Sequence, residues 1–261
     1  MKLGIDMGGM SIKMGLVNEE NKIIGRITIP TDLTVPYQTL VERMADAVRQ
    51  MLENAGMTLE QCGGIGIGSP GTIDAKQGVI LYSNNFGWEN VPIVEELKKH
   101  LDTRIEIAND ADAAALGEVC AGAAEGAENA VLLTLGTGVG SGVILDKKIF
   151  RGTMPGGCEL GHLSIRYDGI RCTCGRKGCL EAYASASALL RIAREKAAEH
   201  PESIMNEMCG NDLEQMNGKI PFDAAKAGDE AGMETVKEYE GYLACGIANV
   251  INTFRPEKVI L

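Results

Sequence analysis

An α/β fold built from a duplicated unit is what the sequence predicts, and three features carry that prediction. Strand-like apolar runs alternate with amphipathic helical stretches, the pattern of a layered α/β sheet. Glycine makes up 33 of 261 residues, nearly twice the usual ~7%, and it gathers in turns after strands. The opening order of strand, glycine turn and strand returns half-way along the chain, with Thr134 in the place of Asp6. That return marks an internal repeat.

Residues 2–6 and 11–17 are β-like runs joined by Met7, Gly8, Gly9 and Met10, which predicts a hairpin with a glycine turn. A third strand is expected over 23–29. Leu40, Met44, Val48 and Leu52 recur every four residues and predict an amphipathic helix over 36–52. A short buried strand over 63–68 ends in Gly68, Ser69, Pro70 and Gly71. Helix is expected over 91–100, strand over 104–107, and an Ala-rich helix over 110–121. The second copy then opens with strands over 130–135 and 142–145 around a glycine turn. It carries an extra segment at about 151–183 and a long helix over 233–254, with Val236, Leu243, Ile247, Val250 and Phe254 on its apolar face. Residues 210–221 suggest a polar loop. Pro256 stops the long helix, and a strand begins at Lys258. The expected lobes are 1–121 and 122–261, and by element count the second is incomplete at its C-terminus.

Composition narrows the function. The 36 acidic and 25 basic residues leave a net charge of −11 with no Lys/Arg run, which argues against a nucleic-acid or anionic-membrane partner. No stretch approaches the ~20 apolar residues of a membrane span, and the amino terminus does not have the pattern of a secretion signal. A chain of this length buries about 70–75% of its extended surface without disulfide staples. A cytoplasmic protein is expected, its eight cysteines serving as metal ligands and core fillers.

Four motifs carry chemistry. Asp6 before Gly8 and Gly9 sets a carboxylate at a strand end beside backbone N–H groups that can approach an anion; a plain hairpin turn is the alternative. Gly136, Thr137 and Gly138 repeat that design with a hydroxyl. This second loop is not the dinucleotide fingerprint, because the third glycine of GxGxxG falls on Ser141 or Val143. Two such loops in related lobes facing one cleft would clamp nucleotide phosphates. His162, Cys172, Cys174 and Cys179 stand as H-x9-C-x-C-x4-C, a donor set for a closed tetrahedral zinc site. Cys62, Cys120, Cys158, Cys209 and Cys245 lie outside that spacing and read as small core residues, and His100 and His200 as helix ends. Asn109, Asp110 and Asp112 sit where a strand meets a helix, a common ligand position in α/β sheets, with capping as the alternative. Glu159 and Glu181 flank the cysteine cluster, and such polar groups folded onto a metal suggest a hydroxyl-reading pocket, with solvated surface acids as the alternative for any one alone.

Taken together, Asp6-x-x-Gly9, GIGSPGTID over 66–74, NNFGW over 84–88, NDADA over 109–113, the 135–142 glycine loop, ELGH over 159–162 and CTCGRKGCLE over 172–181 resemble the ROK family of bacterial sugar kinases, its glucokinases in particular. The resemblance covers the whole chain and implies a two-lobed actin-like ATPase (ribonuclease H-like) fold. It implies ATP-dependent phosphorylation of a hexose, O6 of glucose first, with Asp110 as general base and Mg²⁺ accompanying ATP. Gly71, Asn84, Asn109, Asp110, Glu159, His162 and Glu181 match the family's sugar-binding positions. Asp6, Gly8, Gly9, Met10, Gly136, Thr137 and Gly138 match its nucleotide-binding ones. A structural Zn²⁺ on His162, Cys172, Cys174 and Cys179 and a homodimer are implied as well.

Two departures stand out. Family members usually carry Thr where Met10 stands, so a hydroxyl near the phosphates is lost. In the family, the chain also continues past the position of Leu261 into a segment that holds adenosine; without it, nucleotide binding should weaken. Kinases of N-acetylmannosamine, N-acetylglucosamine or fructose, a sugar-binding protein without turnover, and a zinc hydrolase are the competing readings. Four protein ligands would close the metal to water and disfavour the last.

Overall fold

The computed structural model describes all 261 residues. By its internal contacts the chain divides into two compact units: residues 1–132 with 142–158, and residues 133–141 with 159–261.

The first unit is organised by a five-stranded sheet. β1 (Lys2–Met7), β2 (Ser11–Val17) and β3 (Ile23–Pro30) form an antiparallel meander. The chain then crosses through α1 (Tyr37–Asn54) to β4 (Ile65–Ser69), which lies parallel to β1. Alternation explains both layers: Leu3, Ile5 and Met7 of β1 and Ile12, Met14 and Leu16 of β2 are buried with Leu40, Val41, Met44, Val48 and Met51 of α1 in one core. A three-stranded antiparallel sheet follows, β5 (Thr72–Asp74), β6 (Val79–Ser83) and β7 (Trp88–Val91). It is not evident from the sequence, because short strands with long turns leave too few residues for a period to show.

The helix expected over 91–100 is only α2 (Ile93–Lys98), and Val91 instead closes β7 opposite Ile80. Pro92 accounts for the shift, since a residue before proline is pushed towards extended backbone. β8 (Ile105–Asn109) completes the main sheet, in order β3-β2-β1-β4-β8, and passes directly into α3 (Asp110–Ala121).

β9 (Ala130–Leu135), β10 (Val139–Leu145) and β11 (Lys148–Ile149) begin the second sheet. β10 starts three residues before the expected position, so the glycine turn is only Gly136, Thr137 and Gly138. In the second unit come α4 (Glu181–Ala184), α5 (Ala186–Glu199), α6 (Ile204–Met208), α7 (Ile220–Lys226), α8 (Glu230–Phe254) and β12 (Lys258–Ile260). The second sheet runs β11-β10-β9-β12.

Two expectations are corrected in this unit. Residues 210–221 contain a 3-10 turn at Leu213–Gln215 and the start of α7, and Met216 and Ile220 are core residues. On α8 only Val250 of the expected face is fully buried; the buried face runs through Ala231, Thr235, Tyr239 and Gly246. Small residues let neighbours approach there: a Cβ on Gly246 would stand 2.5 Å from Leu180 Cδ1. Cys62 and Cys209 are core residues as expected, but Cys120 and Cys245 are exposed. They lie on outward faces of α3 and α8, where a small apolar residue meets solvent. No helix is long and apolar enough to cross a membrane.

Candidate active site and metal centre

In the first unit the parallel strands β1, β4 and β8 end together. Their register pairs Asp6 with Gly68, Gly68 with Ala108, and Ser69 with Asn109, so the carboxylate, the Ser69–Gly71 turn and the head of α3 share one sheet edge. Ligands in open α/β sheets bind at such carboxyl ends.

Asn109 is the cap of α3. Its Oδ1 accepts from Ala111 N at 2.9 Å, and its Nδ2 donates to Gly71 O at 3.1 Å. Capping therefore falls to Asn109, and Asp110, the first residue of the helix, is exposed with its Oδ1 accepting from Ala111 N at 2.9 Å. Gly71 is required as glycine. Its φ is +114°, and a Cβ would overlap the Tyr82 carbonyl oxygen and stand 3.0 Å from Ser83 Cα. Asn84 is exposed in the turn after β6, with Oδ1 3.5 Å from the Tyr82 hydroxyl.

The first glycine turn is closed by Gly8 N donating to Ser11 O at 3.0 Å. Thr31, a residue that sequence reasoning missed, holds it from β3's end: its hydroxyl donates to Gly8 O at 2.6 Å and its N–H to Met10 O at 3.1 Å. Only strand pairing reveals that role, 23 residues along the chain. Gly9 lies beside Asn85, 4.0 Å from where its Cβ would be. Met10 is 91% exposed, so an apolar side chain projects into solvent at the tip. Asp6 is exposed, with its cross-strand neighbour Lys13 at 3.9 Å.

In the second unit the turn Gly136–Gly138 is tied to the head of α5. Gly136 O accepts from Ala186 N at 2.8 Å and Thr137 O from the Ser187 hydroxyl at 2.9 Å. Glu181 packs against Gly138 and bridges this turn to the cysteine loop. Its Oε2 accepts from Val139 N at 3.1 Å, and its Oε1 from the Thr173 hydroxyl at 3.1 Å and Cys172 Sγ at 3.5 Å. The ELGH turn is fixed by Leu160 N donating to the buried Ser141 hydroxyl at 2.9 Å. Gly161 is needed there because a Cβ would collide with Val139 O. Glu159 is exposed at the start of that turn.

The four expected metal ligands converge. The ligand atoms of His162, Cys172, Cys174 and Cys179 all lie within 4.8 Å of one another. Cys174 and Cys179 Sγ are 3.7 Å apart, and Cys172 Sγ is 3.6 Å from His162 Nδ1. A tetrahedron with Zn–S bonds of ~2.3 Å has S···S edges of about 3.8 Å, so the donors fit a zinc ion in both chemistry and spacing. Without a cation, burial and then the neighbouring Cys174 and Cys172 thiols push the Cys179 thiol up to about 12. The Arg176 N–H holds the exposed Cys174 below the ordinary thiol range. A zinc ion would be held by three thiolates and Nδ1, leaving His162 Nε2 for another partner.

The sequence matches proteins of known kind along its full length. The ROK family model covers residues 2–261. A glucokinase from Thermotoga maritima is 36% identical over 260 residues, 99% of this chain and 80% of the relative. The crystal structure of a ROK family glucokinase from Streptomyces griseus, in complex with glucose and AMPPNP, superposes with a TM-score of 0.76 at 31% identity. That match covers 99% of this chain and 81% of the other. A xylose repressor from Caldicellulosiruptor bescii is 30% identical over 259 residues, 99% of this chain and 64% of the repressor. With strand order, glycine turns and the His-Cys quartet already in place, these matches establish that the chain belongs to the ROK family and has its α/β, actin-like ATPase fold.

Proposed function

We propose that this chain is an ATP-dependent hexose kinase, with glucose O6 as the favoured acceptor. The observation that carries the reading is the division of labour at the head of α3. Asn109 is held by the cap and by Gly71 O with one amide hydrogen left over for a sugar hydroxyl, while the adjacent Asp110 carboxylate is exposed at the carboxyl edge of the sheet. Similarity to glucokinases over nearly the whole chain supports the same chemistry.

In this mechanism Asp110 takes the proton of the sugar hydroxyl as that oxygen attacks the γ-phosphorus. The bond from that phosphorus to the bridging oxygen breaks, and ADP leaves with the electron pair. Mg²⁺ entering with ATP neutralises phosphate charge. Asn109, Glu159, His162 and Glu181 bind and orient sugar hydroxyls, with Gly71 and Asn84 nearby. Backbone donors of Gly8, Gly9, Met10, Gly136, Thr137 and Gly138, together with Asp6, serve the nucleotide. His162 acts on the sugar side through Nε2, its ring orientation set by Nδ1 in the cysteine cluster. The reading includes a structural zinc, lobes 1–121 and 122–261 with the zinc segment at about 151–183, and a cytoplasmic homodimer.

The test is ADP release from Mg·ATP across glucose, mannose, fructose and the N-acetyl hexosamines, with Asp110→Asn as the blank. Turnover of one sugar, abolished in the variant while sugar binding in calorimetry persists, is the expected result. Near-normal turnover by Asp110→Asn would remove Asp110 from its role. The repressor match favours one other reading, a sugar-binding protein without turnover; sugar binding with no ADP release from the wild type would select it.

A further inference from the structure

The reaction as proposed leaves a carboxylate two residues beyond Asp110 without a task. Asp112 is the third residue of α3, and its side chain is only 4% exposed. A charge buried to that degree persists only with partners. Arg151 supplies one: its Nε lies 3.5 Å from Asp112 Oδ2, with the Arg151 side chain 38% exposed.

Arg151 opens a loop whose far end returns to the same place. Phe150 N donates to Val143 O at 2.7 Å, which fixes the chain as it leaves β11. Residues 151–157 then run outward, with Met154 76% exposed at the tip. On the way back Gly156 (φ +108°) passes Thr72, whose Cγ2 is 3.5 Å from where a Cβ would stand. Gly157 (φ +70°) passes Asp112, whose Oδ2 is 3.4 Å from its Cβ position. Both ends of the loop thus meet on one buried carboxylate, Arg151 by charge and Gly157 by close approach. Thr72 follows Gly71, the residue whose carbonyl holds Asn109. The loop's return therefore lies in the packing around the Gly71–Asn109–Asp110 group, within a single unit of the fold.

We propose that Asp112, acting through Arg151, is a positioning residue that pins the 151–157 loop beside the Gly71–Asn109–Asp110 group and thereby sets affinity for the sugar. This rests on the kinase reading above. Asp112 touches neither substrate nor reacting atoms in this scheme. Loss of the pin frees the loop and with it the backbone packed on Thr72, so the effect falls on sugar binding rather than on the chemical step.

The experiment compares the full chain with Asp112→Asn, Arg151→Gln, Arg151→Lys and the Asp112→Asn/Arg151→Gln double variant. Two readouts are taken: amide hydrogen exchange over 152–157, and KM for sugar and for ATP against kcat. Either single variant should speed loop exchange and raise sugar KM about tenfold, with kcat and ATP KM within about twofold, a geometric loss confined to binding. Arg151→Lys should restore part of both effects, and the double variant should be no worse than the singles, since they remove one interaction. Arg151 is partly exposed, so Arg151→Gln decides the matter if Asp112→Asn fails to fold. Unchanged loop exchange in Arg151→Gln, or a freed loop with unchanged sugar KM, overturns the proposal. A wild-type chain that turns over no sugar in the panel refutes the kinase reading instead; loop exchange and sugar binding by calorimetry then decide the pin.

Discussion

Replacing Gly71 by Ala tests the geometry of the site most directly. At φ +114° an L-residue is strained by about 1–3 kcal/mol. The new Cβ would also overlap the Tyr82 carbonyl oxygen and crowd Ser83, whose Cα and Cβ both stand 3.0 Å away. Ser83 is fully buried and both neighbours belong to β6, so neither can turn aside as a flexible side-chain tip would. Overpacking of this kind adds roughly 1–3 kcal/mol, which gives an expected loss of about 2–6 kcal/mol. The turn that yields carries the Gly71 carbonyl, the acceptor for Asn109 Nδ2 at 3.1 Å. A displacement near 1 Å at a positioning group costs up to ~10²-fold, and here it should appear as a raised KM for the sugar. Urea denaturation gives the first quantity, and initial-rate kinetics well below the melting temperature give the second. A Gly71→Ala protein with an unchanged urea midpoint and unchanged sugar KM would refute the claim that this turn holds Asn109.

Other expectations follow from the second unit. One zinc per chain should be found by metal analysis, and chelation should lower the melting temperature and the sugar affinity together; a zinc-free, folded and fully active preparation would contradict the structural role of the quartet. Asp229 caps two helices at once, accepting from Gly232 N at 2.8 Å, the Ser203 hydroxyl at 2.8 Å and Ile204 N at 3.0 Å. Burial raises its carboxyl, but these donors outweigh burial and hold it below the ordinary 3.8. Asp229→Ala should cost about 2 kcal/mol at neutral pH. Because the folded value is the lower one, the ionised cap contributes fully above about pH 4 and the contribution fades as pH falls through the folded value. Urea midpoints of wild type and variant should therefore converge in acid; a gap that stays constant would show that the charge is not what stabilises the caps.

Much of the fold is legible in the sequence because one element at a time carries its own period. The four-residue spacing of Leu40, Met44, Val48 and Leu52 places α1, and the head and tail of α3 and of β9 fall where expected. The metal quartet is legible for a similar reason, since its ligands lie within eighteen residues of sequence and the glycines between them permit the tight turns. What escapes is whatever depends on neighbours distant in sequence. β5 to β7 have too few residues to show alternation, and the true buried face of α8 follows from where small residues admit Leu180 and Ala224.

The sequence by itself determined the family, most strands of the main sheet with α1 and α3, and the residue types available for proton transfer, phosphate contact and metal binding, because those are set by local chemistry and spacing. Only the tertiary structure decided how they are used. It made Asn109 rather than Asp110 the cap of α3, put the Thr31 hydroxyl on the carbonyl of Gly8, and set Glu181 between Val139 and Cys172. It also buried Asp112 against Arg151, a pairing across 39 residues of chain. The reason is physical: hydrogen bonds and charge pairs reach only a few ångströms, so which donors meet which acceptors is fixed by packing and not by distance along the chain.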